Sequence, residues 1–162
     1  EEFGESPESG RLHYYQGLSH FKLGNSREAM KSFERALRFN GFDDRSLSLL
    51  GRLYLQEGES ETIAETYCLK SVELNPDKLE YKLYLAEVYV STHKLVEARA
   101  LLKPCLRRKA IKGYAQLLMG ESYLKEEQPK RAEAWFRKVN LHSDLDAQLK
   151  ERAKQGLKLS VI

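Results

Sequence analysis

Small residues recur along this chain at a fixed interval. Gly17, Gly51, Ala86 and Gly120 are spaced 34, 35 and 34 residues apart, and each sits in a similar frame of bulky neighbours, from Tyr15–Phe21 to Leu49–Leu55, Tyr84–Val90 and Leu118–Leu124. Such a period signals an array of units that cannot bury their apolar faces alone and are completed by their neighbours. A second small residue follows twelve or thirteen positions later, at Ala29, Ala64, Ala98 and Ala132. One helical turn on come Phe33, Cys68, Leu102 and Phe136, and then Ala36, Ser71, Cys105 and Val139. Each unit therefore holds two apolar stripes of helical period separated by a short polar break.

The breaks carry turn chemistry: Leu23–Ser26, Glu57–Ser60, Ser91–Lys94 and Glu126–Pro129. Gly24 and Gly58 suit the left-handed conformation that ends a helix, Ser26 and Ser60 suit N-caps, and Pro129 suits a first helical turn. The predicted helix pairs are 10–23 with 26–39, 44–57 with 60–74, 78–92 with 94–108, and 111–126 with 129–140. The extra residue between Gly51 and Ala86 is assigned to the turn near Glu59–Thr62. A ninth helix is expected at 143–158, capped by Ser143 or Asp144, with Leu145, Leu149, Ala153 and Leu157 recurring every four residues to cover the last unit. Gly17, Gly51 and Gly120 each give up about 1 kcal/mol of helix propensity relative to Ala, which makes sense only where a neighbouring aromatic fills the vacated space. Residues 1–9 read as a mobile acidic tail.

A helix-turn-helix unit of this length, with small residues at these sites, an aromatic three residues after the first and Asn75–Pro76 closing one unit, resembles the tetratricopeptide repeat, or TPR. The resemblance covers residues 10–143, as repeats at 10–43, 44–78, 79–112 and 113–142, with 143–162 as capping helix and tail. Departures are Ala86 in place of glycine, His93 and Glu127 where the turn glycine lies, and a closing proline in the second repeat only. The fold it implies is an all-α, right-handed α-solenoid of antiparallel helix pairs with about nine helices.

Composition excludes several function classes. Of 162 residues, 41% are apolar and 31% charged, and Gly plus Pro number 14, so the chain buries a core and is neither collagen-like nor of low complexity. No apolar run approaches the roughly 18–20 residues that span a bilayer, and the opening residues are acidic, unlike a secretory signal. A cytoplasmic location is the default expectation. The net charge of +3 divides into −5 for residues 1–81 and +8 for 82–162, which can steer a charged partner but does not argue for nucleic acid.

Nucleophile elbow, phosphate loop, dinucleotide fingerprint and zinc-pair motifs are all missing, so we expect no enzyme and no cofactor. His13 and His20 are seven apart and share a helix face, but His20 takes the place of the family's inward aromatic, so packing is the reading and metal the alternative. His93 falls in a turn, where a left-handed backbone is tolerable, and His142 falls in a connector. Cys68 and Cys105 occupy small-residue slots and read as buried thiols, although Cys105 has Lys103, Arg107 and Arg108 nearby. Trp135 is expected to pack against the following helix. Lys103–Lys112 is the densest basic cluster and reads as a solvated helix end.

In the TPR family the first helix of each pair lines a concave side. Register then nominates Arg11, Tyr14, Leu18 and Phe21; Arg45, Ser48, Arg52, Leu55 and Gln56; Glu80, Leu83, Glu87 and Val90; and Tyr114, Leu117, Glu121 and Lys125. Leu18, Leu55, Leu83 and Leu117 stand equally well as inter-repeat core. The family's carboxylate clamp for acidic C-terminal peptides needs Lys or Arg and two Asn. The matching positions are Tyr14, Leu18, Leu49, Glu80 and Tyr84 in one register and Ser48, Arg52, Tyr84, Tyr114 and Leu118 in the next, and neither supplies the set. The resemblance thus implies a protein-binding scaffold that holds a peptide or helix of a partner protein. A chaperone of bacterial secretion and a self-associating scaffold are the alternatives.

Overall fold

The computed structural model describes residues 7–161, so residues 1–6 of the expected tail lie outside the described part. Within it run nine α-helices and no strand: α1 (Pro7–Lys22), α2 (Ser26–Phe39), α3 (Asp44–Gln56), α4 (Glu61–Leu74), α5 (Leu79–Ser91), α6 (Leu95–Cys105), α7 (Lys109–Lys125), α8 (Pro129–Val139) and α9 (Ala147–Ser160). No helix among the described residues is long and apolar enough to cross a membrane. The chain forms two compact units, one ending at Tyr84 and one beginning at Leu85, with the division inside α5.

Helix ends differ from the expected ones where capping decides. α1 begins at Pro7, three residues ahead of position 10, where Pro needs no N–H partner. Ser26 is the first residue of α2 and Asn25 the cap, without a side-chain bond. α6 stops at Cys105 because Arg108 turns extended to start α7. α9 begins at Ala147, not 143, because Asp146 accepts a 2.7 Å bond from the Gln148 amide.

The four intra-pair turns share one geometry. Gly24, Gly58, His93 and Glu127 all take positive φ, at 77°, 66°, 61° and 59°. The next residue's amide then bonds back five residues, Asn25 to His20, Glu59 to Tyr54, Lys94 to Tyr89 and Gln128 to Tyr123, at 2.8 to 3.2 Å. This closure satisfies a carbonyl left over at the helix end. In the second turn the inserted residue makes Ser60 a separate N-cap, its hydroxyl accepting from the Ile63 amide at 3.2 Å.

In the N-terminal unit α1 packs on α2, α2 on α3 and α3 on α4. A methyl at Gly17 would stand 2.7 Å from the Phe33 ring, and one at Gly51 2.6 Å from the Cys68 sulfur. The glycines are therefore the slots into which the second helix of each pair inserts a side chain. Phe33, fully buried, is worth about 2–3 kcal/mol in removed apolar surface. In the C-terminal unit α6 packs on α7, α7 on α8, and α9 on both α7 and α8. Phe136 is held from two sides, since methyls at Gly120 and Gly156 would approach its ring to 2.6 and 2.4 Å. Gly156 follows Gly120 by 36 residues, so α9 repeats the first helix of a pair rather than only covering a flank.

Candidate functional site

The register that aligns the small residues also aligns the side chains of each first helix. In the N-terminal unit, the Arg45 guanidinium of α3 lies 4.2 Å from the centroid of the Tyr14 ring on α1, and its Nε donates to Asp43 Oδ1 at 3.2 Å. About two helical turns further on, the Arg52 guanidinium lies 5.5 Å from the Phe21 ring of α1 and 4.9 Å from the Tyr84 ring of α5. Such contacts contribute about 0.5–2 kcal/mol and fix the direction of otherwise flexible cations. Both arginines are half-buried, as are Leu18, Phe21, Leu55 and Glu80, while Arg11 and Gln56 are exposed. The structure thus brings together a ring-and-guanidinium face on α1, α3 and the start of α5.

Electrostatics on this face follow from burial. Burial pushes the Tyr14 phenol up, against the pull of Arg45. Tyr81 is raised as well, by burial first and by the Asp44 carboxylate second. On the other side of α3, Tyr54 donates to Glu34 at 3.0 Å and is pushed up to about 12 by burial and that bond.

Several nominated residues have another place. Leu83 and Leu117 are 2% and 0% exposed and Val90 3%, so they are core. Ser48 is buried too. In the C-terminal unit Glu87 and Tyr114 are buried, with the Tyr114 hydroxyl donating to Glu87. Arg152 of α9 closes over them. Its Nη1 meets Glu87 at 2.8 Å, and its Nη2 and Nε meet the two oxygens of Glu121 at 2.8 and 3.0 Å. Burial works against the Arg152 charge, but the two carboxylates outweigh it and raise its pKa, so it stays protonated. Lys125 is exposed at the end of α7.

Sequence reasoning missed Arg152 and Gly156. The 36-residue step from Gly120 was the available signal for Gly156, whereas nothing local marked Arg152, whose partners lie 31 and 65 residues away.

The other singled-out residues are placed as follows. His13 stacks on Phe39 at 5.5 Å and bonds to Gln16, and His20 is half-buried. Cys68 and Cys105 are buried thiols that are not joined in a disulfide. Trp135 is half-exposed, with Lys138 Nζ 4.3 Å from its ring centroid.

Comparison with known proteins follows the geometry. The family model for the tetratricopeptide repeat matches residues 10–42, the first helix pair. No curated protein sequence matches significantly. Among solved structures, the MamA protein is 18% identical, with 96% of this chain and 82% of that one covered and a TM-score of 0.69. The pilF protein of Pseudomonas aeruginosa is 16% identical over 95% of this chain and 76% of its own, with a TM-score of 0.71. The first TPR of Spaghetti (RPAP3), bound to the HSP90 peptide SRMEEVD, is 16% identical over 75% and 96%, with a TM-score of 0.66. The family's repeat is thus matched in the first hairpin, and the same small-residue helix pair returns at its period through an all-α array that shares the fold of these solved structures.

Proposed function

We propose that the protein is a non-enzymatic interaction module that holds an extended or helical segment of a partner protein on the first-helix face of its N-terminal unit. The TPR fold serves in general as a protein-interaction scaffold, and the Spaghetti repeat domain is seen with a peptide. The observation that carries the reading is Arg52 lying over rings from two different helices, with Arg45 likewise over Tyr14. Two cations held in place beside Leu18, Phe21 and Leu55 fit a partner segment that offers an acidic residue flanked by apolar ones. Arg11 and Gln56 at the rim and Glu80 on α5 add polarity along the face. The asparagines of a carboxylate clamp are missing, so the acidic group is an internal side chain rather than a chain end.

The test is a pull-down with wild-type protein, identification of the bound segment, and titration of that peptide. Tyr14→Ala and Arg52→Glu should each weaken binding about tenfold or more, in the range of interface anchors. Arg152→Ala, in the other unit, should leave it unchanged. Equal affinity of all three variants with the wild type rejects the proposal.

A further inference from the structure

The basic cluster at the end of α6 is exposed, and its last residue, Lys112, lines an open cleft. This cleft of about 530 Å³ is lined by Leu106 and Lys112 on one side, by Trp135 and Lys138 of α8 on another, and by Leu141 and His142 of the α8–α9 connector. Gln116, itself buried, forms part of the lining, and its Oε1 lies 2.8 Å from His142 Nε2. The connector is held close to α7 because residue 113 is glycine: a methyl there would stand 3.1 Å from Leu145 and 3.3 Å from His142. The size is that of ligand pockets, about 300–1,000 Å³. None of these residues belongs to the face proposed above.

Their chemistry is mixed in a specific way. Lys112 and Lys138 supply two ammonium groups, no carboxylate lines the cleft, and Arg107, Arg108 and Lys109 extend the positive charge along the chain beside Leu106. The rest of the wall is indole and leucine, together with the bonded Gln116–His142 pair. A bare anion would satisfy the lysines and leave the apolar wall in water, while an apolar ligand would do the reverse. A stacked base is disfavoured too, because Lys138 already lies over the Trp135 ring. We infer that this cleft is a second binding site, which takes an acidic segment of a partner protein with a bulky aliphatic residue between its carboxylates. The aliphatic side chain enters between Leu106, Leu141 and Trp135, and the carboxylates meet Lys112 and Lys138.

Trp135 is the single tryptophan of the chain and reports on its own cleft. Its fluorescence is followed while the end-capped tetrapeptide ELDE, its neutral counterpart QLNQ, ATP or inorganic phosphate is added to the full chain. A saturable change with ELDE and none with QLNQ is expected. Lys112→Glu with Lys138→Glu should weaken it about tenfold, and Arg45→Glu should not alter it. Both lysines are exposed, so helical circular dichroism should hold. If it does not, Lys112→Gln alone should give about a threefold loss. Equal response to QLNQ, saturation by ATP or phosphate but not ELDE, or no response to any probe overturns the inference.

Discussion

In the N-terminal unit the arginines of α3 rest on the rings of α1 and α5, whereas in the C-terminal unit the carboxylates of α5 and α7 are taken up by Arg152 of α9. The turns differ in parallel: Gly24 and Gly58 supply the left-handed residue in the first unit, and His93 and Glu127 in the second. The same hairpin thus sets first-helix charges against rings in one place and against a cation from a later helix in another. α9 therefore does more than hide apolar surface: its Arg152 pairs with the carboxylates of α5 and α7.

The sharpest way to break the contrast is at the Phe136 slot. Gly156→Val should cost about 3 kcal/mol, since the ring has no room for a branched side chain, and urea unfolding with hydrogen exchange should show α9 and α8 losing protection while α1 to α3 keep theirs. Arg152→Ala comes next. It leaves Glu87 buried without its cation, and about 2 kcal/mol should be lost in urea melts, less than for a fully buried pair because Arg152 is about a third exposed.

Alkaline pH acts on the other unit. The Tyr54 phenol is raised to about 12 and Tyr14 and Tyr81 are raised too, so these groups stabilise the fold below the ordinary tyrosine pKa near 10. That stability drains as pH rises from about 10 toward about 12, and Tyr54→Phe should flatten the fall when urea midpoints are compared at pH 9 and 11. The smallest effect is a gain: Glu127→Gly relieves a positive φ and should add about 1 kcal/mol or less, seen as a higher melting temperature, whereas Gly58→Ala should cost a similar amount.

Much of the fold was legible because small residues, turn residues and apolar stripes act locally and repeat. Gly17, Gly51 and Gly120 predicted an aromatic neighbour; Phe33 and Phe136 fill that role at the first and last, whereas Gly51 meets the smaller Cys68 sulfur. The candidate face was legible only in part. Register nominated Arg45 and Arg52, which lie over rings of neighbouring first helices, but it placed Leu83, Leu117, Glu87 and Tyr114 beside them without knowing what would cover each.

The sequence by itself determined the helix pairs, the left-handed turns and the glycine slots, because each depends on residues within about one repeat of one another. Only the tertiary structure decided that Arg152 would reach back to Glu87 and that Lys112, Trp135 and His142 would share a cleft. Those meetings join side chains from different helices and a connector, and the energy of pairing them depends on a geometry that no local pattern encodes.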